Sequence, residues 1–257
     1  MVLEKIPLFV ALCLALLLFC CTQVERDNPY DPDGVKFNSG GDEPSSGSSA
    51  GISYGSVSYG GQTYKTVLIG TQTWFAENLN YNVSGSKCYE NYTANCGIYG
   101  RLYDWATAMA LPSSCNTTSC ASEIQSPHQG ICPDGWHIPS SEDWGRLSRY
   151  VDGTSGTFAG YGSSTAGRYL KATSGWNSNG NDGTDGFGFS ALPGGSGIPG
   201  GSFRNVGLNG YWWSANEYVG YSDIAYRRYM VYSGGSAYWD DGNKSNLYSV
   251  RCLEDSK

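Results

Sequence analysis

CPDGWHIPSSEDWGRLS, residues 132–148, combines a turn, two tryptophans and a helix start in one run. Pro-Asp-Gly is a typical turn sequence, and we expect it to present Trp136 to the core. Ser140 has Asp143 three residues later, which is close to the spacing and chemistry of a capping box. Gly153 then marks a helix end. The stretch predicts a turn followed by a helix with three residues facing inward: Trp144, Leu147 and Val151.

The same stretch contains residue types that are used in hydrolases, namely His137, Ser140, Ser141 and Asp143. However, His137 lies between two large apolar residues, and a single histidine without an evident partner is a weak sign of acid–base catalysis. We therefore interpret these residues as turning, capping and packing the chain.

Three further segments carry secondary-structure signals. GRLYDWATAMAL, residues 100–111, predicts a helix because four apolar residues recur at helical spacing: Leu102, Trp105, Ala106 and Met109. Residues 64–79 predict two strands around Gly70, and residues 226–239 predict a hairpin over Gly234-Gly235. With 36 glycines and few charges, the chain is expected to form a domain of short strands and many loops with an aromatic core, and not a helical bundle.

The beginning of the chain has the layout of an export signal. Lys5 precedes an apolar run from Ile6 to Phe19, which is short for a membrane span and is followed by cysteine. This predicts a lipoprotein signal peptide over residues 1–20, with lipid on Cys21 or, alternatively, on Cys20. Residues 21–53 are acidic and then Gly/Ser-rich, which predicts a flexible linker. The acidic start fits either a surface-export signal or plain solvated linker. Residues 54–257 remain for a single domain.

Nine cysteines are present, of which Cys13, Cys20 and Cys21 belong to the leader and the lipid site. The other six form an even set, which in an exported chain indicates disulfides; their spacing does not resemble a zinc site. Spacing suggests three pairs, although six cysteines permit other connectivities: Cys88–Cys96, Cys115–Cys120 and Cys132–Cys252.

The formal net charge of −7 argues against a nucleic-acid partner, because phosphate binding needs a basic surface.

One segment of the chain has a composition that suits a metal site. Residues 176–189 offer oxygen ligands of the kind that calcium prefers, with Asn181, Asp182 and Asp185 as candidates. The segment does not follow an EF-hand loop, and an Asn/Gly/Asp turn accounts for its composition. We expect no cofactor, with calcium as the alternative.

The C-terminal region is rich in aromatic residues. From Tyr211 to Tyr248 there are 8 tyrosines and 3 tryptophans among Ser, Asn, Asp and Gly. Rigid amphipathic rings beside small polar residues are typical of adaptable binding surfaces. The alternative is that the residues of a hairpin alternate and half of the rings pack inward. We expect Trp212, Trp213 and Val231 inside, and a ligand-binding surface in C-terminal loops formed by more exposed residues: Tyr218, Tyr221, Tyr238, Trp239, Asp240 and Asn243.

Six motifs in order resemble the Fibrobacter succinogenes major paralogous domain family over about residues 55–253. They are GTQTWFAENLNY, GRLYDWATAMAL, CPDGWHIPSSEDWGRL, DGFGFSALPGG, NGYWWSANE and NKSNLYSVRCL. The resemblance implies a single α+β domain similar to C-type-lectin-like domains and to formylglycine-generating enzymes. Such a domain has two helices, short antiparallel strands, long loops, and first and last strands that pair with each other. In lectin-like folds a long disulfide reaches the last strand, which suits Cys132–Cys252. Members are commonly exported lipoproteins or surface proteins.

The catalytic pattern of the formylglycine-generating enzymes does not carry over. Those enzymes bind copper through two cysteines close together near the C terminus, where this chain has Cys252 alone. Related iron enzymes need several histidines, and this chain has only His128 and His137. The motifs that couple calcium to sugar binding in lectins are also missing from the sequence.

We therefore expect that the protein is not an enzyme and that it is a surface-exposed lipoprotein of the outer membrane. It would act as a non-catalytic recognition or adhesion module that binds a polysaccharide or another surface protein. The alternatives are a structural cell-envelope protein and a divergent enzyme of the formylglycine-generating type. Exposed rings that line a groove favour carbohydrate, whereas a flat aromatic patch favours a protein partner.

Overall fold

The computed structural model describes residues 51–153, 162–163, 165–178 and 183–256. The strands in these ranges are β1 (Tyr54–Tyr59), β2 (Gln62–Ile69), β3 (Gln72–Phe75), β4 (Trp136–His137), β5 (Gly162–Ser163), β6 (Gly194–Gly197), β7 (Phe203–Val206), β8 (Asn209–Glu217), β9 (Ile224–Val231), β10 (Ala237–Asn243) and β11 (Leu253–Glu254). The α-helices are α1 (Thr93–Tyr99), α2 (Trp105–Ala108), α3 (Ser141–Asp152) and α4 (Ala166–Leu170). The predicted α+β class is confirmed.

The strands form two sheets. The order in the first is β1-β2-β3-β11-β4, and in the second it is β5-β10-β9-β8-β6-β7. Neighbouring strands are antiparallel except for β6 and β8, which are parallel. Both predicted hairpins are present: Ile69 pairs with Gln72 around Gly70, and Met230 pairs with Ala237 around Gly234-Gly235.

Strand β11 joins distant parts of the chain. It lies between β3 and β4, with Leu253 paired to Trp74 on one side and to His137 on the other. The residue before it, Cys252, forms a disulfide with Cys132, so the turn that starts the 132–148 stretch is covalently fixed to the last strand. The two other predicted bridges, Cys88–Cys96 and Cys115–Cys120, are also formed. All three predicted pairings are confirmed.

The helix predicted from the 132–148 stretch is confirmed as α3. The Ser140 side chain accepts from the Asp143 N–H, and the Asp143 carboxylate accepts from the Ser140 N–H, which completes the capping box. Gly153 ends the helix in the left-handed conformation, at φ 65°. The three predicted core residues are buried: Trp144, Leu147 and Val151.

The helix predicted over residues 100–111 is much shorter than expected. Helix α2 covers only Trp105–Ala108, and Asp104 is its N-cap. The preceding residues cannot join it, because Leu102 and Tyr103 pair with Lys87 and Tyr248 as isolated bridges. The apolar stripe is nonetheless buried as predicted: Leu102, Trp105, Ala106 and Met109.

Helices α1 and α4 add two to the two that the sequence predicts. In neither helix does the N-cap side chain accept a capping hydrogen bond from the first turn, and the helices contain seven and five residues. They therefore lack both the capping signal and the length over which an apolar stripe can be recognised. In the described ranges, no helix is long and apolar enough to span a membrane.

The second sheet is packed on both faces. Trp212 and Trp213 point to opposite sides of β8, yet each is 0 % exposed. Trp213 packs in one apolar cluster with Phe75 and Trp105, and Trp212 packs in another with Trp74 and Trp144. Both were expected inside. Val231 was also expected inside but is only half-buried; by alternation its neighbour Met230 occupies the core position.

Candidate functional site

A cleft of about 960 Å³ is lined by four segments of the chain. Two of them come from residues 119–128 and residues 255–256. The third is the β4–α3 connection with the start of α3, which we call the base, and the fourth is the β8–β9 connection, which we call the wall. We call this the Tyr221 cleft. Its volume lies in the range typical of small-molecule and cofactor sites.

The wall carries the most exposed apolar side chains of the cleft. Val219 is 86 % exposed and Tyr221 is 62 % exposed, while Tyr218 beside them is half-buried. The Tyr218 ring centroid lies 5.7 Å from that of Tyr221 and 5.1 Å from that of Tyr226. Tyr226 in turn lies 5.2 Å from Trp239 on the neighbouring strand. A row of four contacting rings therefore leads from the cleft along one face of the second sheet.

A buried ion pair anchors this wall. Lys244 has a fully buried side chain, and its Nζ donates to Glu217 Oε1 at 2.6 Å. The same Nζ donates to the carbonyl oxygens of Ser222 (2.7 Å) and Thr118 (3.3 Å). It also lies 4.5 Å from the centroid of the Trp105 ring. One ammonium group thus connects the wall to Thr118, which directly precedes the 119–128 segment.

Glu217 makes the matching contacts from its own side. Its carboxylate accepts from the Cys120 N–H at 2.7 Å and from the Ser119 hydroxyl at 2.6 Å. Burial alone would raise the pKa of Glu217, but the hydrogen bonds from Cys120, Lys244 and Ser119 outweigh it and lower the pKa. The carboxylate is therefore ionised at neutral pH, as the ion pair requires.

His137 lies at the base of the cleft between two carboxylates. Its Nδ1 is 2.6 Å from Asp255 Oδ1, and its Nε2 is 3.5 Å from Asp143 Oδ2. Burial alone would lower the pKa of His137, but the hydrogen bonds to Asp143 and Asp255 and their negative charges outweigh it and raise the pKa. Both ring nitrogens therefore have acidic partners.

The serines of the 132–148 stretch do not complete a hydrolytic triad. The Ser140 hydroxyl donates to Asp143 Oδ2 at 2.6 Å, within the capping box, and the Ser141 Oγ lies 3.2 Å from the Ser214 Oγ. A nucleophile needs its hydroxyl bonded to the base, and here both histidine nitrogens face carboxylates. The second histidine of the cleft, His128, accepts at Nδ1 from the Gln125 N–H, so Nε2–H donates to the Met109 carbonyl oxygen.

A family model of the Fibrobacter succinogenes major domain matches residues 67–254, which run from β2 to β11 and include most of the cleft. The chain belongs to this family. The comparisons with curated proteins and with solved structures give no match. This match confirms the family resemblance that the six sequence motifs carry. The matched region contains all three disulfides.

The six predicted ligand residues do not form one surface. Tyr218 and Tyr221 line the cleft, whereas the other four lie in strand β10 rather than in a loop. Successive residues of a strand point to opposite faces, so Tyr238 and Asp240 lie on one face of the sheet and Trp239 and Asn243 on the other. Trp239 extends the ring row of the cleft.

On the opposite face, Tyr238 stacks on Tyr229 with ring centroids 4.8 Å apart. Asp240 Oδ2 accepts from Arg227 Nη2 at 2.9 Å. The Arg227 guanidinium also lies 5.0 Å from the Tyr211 ring centroid. These contacts give Asp240 a structural partner. Asn243, on the same face as Trp239, also has partners: it donates to Asp223 Oδ2 and accepts from the Ser245 N–H.

Of the three calcium candidates, the structure describes only Asp185. Asn181 and Asp182 lie outside the described residues. The two Asp185 oxygens accept from the N–H and the hydroxyl of Ser190, at 2.7 and 2.6 Å, which is the arrangement of a loop-closing turn. Within the described part of the chain, no three His, Cys, Asp or Glu side chains are grouped so that they could hold a metal ion.

Sequence reasoning missed Lys244, Glu217 and Asp255 as cleft-building residues. Lys244 and Glu217 are 27 residues apart, and His137 and Asp255 are 118 apart. No local pattern links such positions. Alternation along residues 237–243 was an available signal, since it separates Tyr238 from Trp239.

Proposed function

We propose that this domain is a non-catalytic recognition module that binds a polysaccharide in the Tyr221 cleft. The observation that carries the proposal is the exposed Tyr221 ring, next to Tyr218, on the wall of a cleft of about 960 Å³. A sugar ring presents C–H groups on its faces, and these pack against an aromatic ring while the hydroxyl groups remain at the edge. Exposed polar side chains surround the rings and would meet those hydroxyls: Gln125, Ser126, Asn216 and Ser222.

A cleft favours a sugar chain over a flat protein partner. Of the four contacting rings from Tyr221 to Trp239, the two at one end, Tyr221 and Tyr218, line the cleft. A protein interface would instead bury a larger and flatter area, about 800 Å² on each partner. The ion pair of Lys244 and Glu217 also anchors the wall from inside, and a preorganised site loses less entropy on binding.

The proposed absence of catalysis rests on the state of the reactive groups. Cys132 and Cys252 are joined in a disulfide, so neither supplies a thiolate. His137 has carboxylate partners at both nitrogens, which fits an electrostatic tie better than a general base.

We propose a C-type-lectin-like form for the domain and an outer-membrane location for the chain. The pairing of β11 beside β3 and the long Cys132–Cys252 bridge support the former. The apolar run before Cys21 supports a lipid anchor and display at the cell surface. Incorporation of labelled palmitate, lost in Cys21→Ser and retained in Cys13→Ser, tests the anchor. Retention of label in Cys21→Ser and its loss in Cys20→Ser would move the anchor to Cys20.

Binding of the full-length protein to an array of plant, fungal and bacterial polysaccharides tests the central proposal. For the tightest ligand found, Tyr221→Ala should weaken binding about tenfold or more, as expected for a ring at the centre of a contact. Tyr92→Ala is the matched control, because Tyr92 is 67 % exposed and lies outside the cleft lining. Equal affinities of wild type and Tyr221→Ala, or no binding to any polysaccharide, would refute the proposal.

A further inference from the structure

The charges that line the Tyr221 cleft bear on which sugars it accepts. Four carboxylates line it, those of Glu142, Asp143, Glu217 and Asp255. Among the lining residues that the structure describes, Arg146 is the only lysine or arginine. Two of the carboxylates are accessible, since the Glu142 side chain is 64 % exposed and that of Asp255 is 39 % exposed. Glu142 is paired with Arg149 at 2.7 Å, and the Arg146 side chain is 51 % exposed. The described lining nevertheless carries more carboxylates than cations.

The cations near these carboxylates already have partners. Arg146 Nη2 is 3.0 Å from Asp143 Oδ1, and the buried Lys244 is paired with Glu217. Burial alone would raise the pKa of Asp143, but hydrogen bonds from His137 and Ser140 outweigh it and lower the pKa, so this group stays ionised at neutral pH. A carboxylate or sulfate on a sugar would therefore meet in Arg146 a cation whose charge is already balanced by Asp143.

We propose that the cleft selects uncharged sugar units and rejects polysaccharides that carry carboxylate or sulfate groups. This inference rests on the proposed polysaccharide function and names its ligand class. The aromatic wall supplies attraction that any pyranose ring can satisfy, and the carboxylates supply a repulsive element against acidic chains. Specificity in binding sites commonly combines an attractive and a repulsive element of this kind. Repulsion between accessible charges is also screened by salt.

Matched pairs of polymers test the proposal: methyl-esterified and free homogalacturonan, cellulose oligomers with and without carboxymethyl groups, and xylan with and without glucuronic acid. We expect the neutral member of a bound pair to bind about tenfold tighter at low salt, with the ratio falling as salt is added. Equal binding within pairs, or preference for the acidic members, would overturn the inference and leave the polysaccharide function standing. Failure of all these polymers and of the wider array would overturn both.

Substitution of Glu142 gives a second readout. Glu142→Lys should shrink the ratio of neutral to acidic binding several-fold, because it replaces the most exposed negative charge of the lining by a positive one. Glu90→Lys makes the same change of net charge at an exposed residue of the turn Tyr89–Asn91, outside the cleft lining, and should leave the ratio unchanged. An identical shift in both variants would mean that overall charge, not the cleft, sets the preference, and would contradict the proposal.

Discussion

Arg251 carries a positive charge in the interior of the protein, at 0 % exposure. Its guanidinium donates to Asn78 Oδ1 and to the backbone carbonyl oxygens of Phe75, Phe189 and Ser190. Burial lowers the pKa of Arg251 to about 9, so the group remains charged at neutral pH. The planar guanidinium reaches acceptors on several chain segments at once, which a lysine ammonium cannot do.

Arg251→Lys should therefore lower the free energy of unfolding by about 2–4 kcal/mol, since several buried acceptors lose their donor. Urea denaturation followed by tryptophan fluorescence measures the effect. Arg149→Lys, in a pair with the largely exposed Glu142, should change stability by no more than about 0.5–1 kcal/mol. Equal stabilities of Arg251→Lys and wild type would show that the guanidinium geometry is not needed.

His137 links stability to pH, and the direction follows from its raised pKa. The folded state binds the proton more tightly than the unfolded state, so this contribution is complete below an unfolded pKa of about 6.5 and is lost as pH rises through the folded pKa. Asp143 acts in the opposite direction: its lowered pKa gives a contribution that is present above its unfolded pKa and is lost as pH falls through the folded pKa.

We expect the stability difference between wild type and His137→Gln to be larger at about pH 5.5 than at about pH 8.5. Urea denaturation at both pH values measures it. Asp255→Asn removes the negative charge of one His137 partner but keeps the shape of that side chain. It should reduce the pH dependence of stability without reversing it. A difference that stays constant with pH would contradict the assigned role of His137.

Among the elements, the β8–β9 connection depends on the Lys244–Glu217 pair. Lys244→Met should cost about 3–5 kcal/mol, because it leaves the Glu217 carboxylate buried without its cation. The double variant Lys244→Met/Glu217→Gln should cost less than the sum of the two single changes. Hydrogen exchange should also become faster in residues 117–124, which contact both groups. Full additivity, with unchanged exchange, would contradict this account of the wall.

The elements differ in how well the sequence predicts them. Helix α3 could be predicted because its capping box, apolar stripe and terminal glycine all lie within its own residues. The α2 region was predicted to bury the correct residues but with too long a helix, because Leu102 and Tyr103 pair with segments far along the chain. Alternation in β10 was readable, but the sequence does not reveal which face meets a cleft.

For the whole molecule, the Cys132–Cys252 bridge closes a loop with a sequence separation of 120, whereas Cys88–Cys96 closes one of 8. In the chain-entropy view, the long bridge stabilises by about 5 kcal/mol and the short one by about 2.5 kcal/mol. Replacing both cysteines of each pair by alanine and comparing urea midpoints tests this order. A larger loss from the short bridge would contradict it.

The disulfide framework could be inferred from cysteine parity and spacing, but the cleft could not. The cleft is lined mainly by residues 119–128, 137–146 and 215–222. These segments meet only when β11 has been inserted between β3 and β4 and the second sheet has formed. The aromatic composition correctly drew attention to Tyr218 and Tyr221. It could not separate them from Tyr238, because composition carries no information about which face a ring occupies.

The most direct test of polysaccharide binding in the Tyr221 cleft is a two-dimensional ¹H–¹⁵N NMR titration of the full-length protein with a neutral oligosaccharide chosen from the array. The account predicts that the largest shift changes cluster in residues 119–128, 137–146 and 215–222, with the indole signal of Trp239 also affected. Changes centred on Tyr229 and Tyr238 on the opposite face, or no saturable changes with any arrayed oligosaccharide, would contradict it.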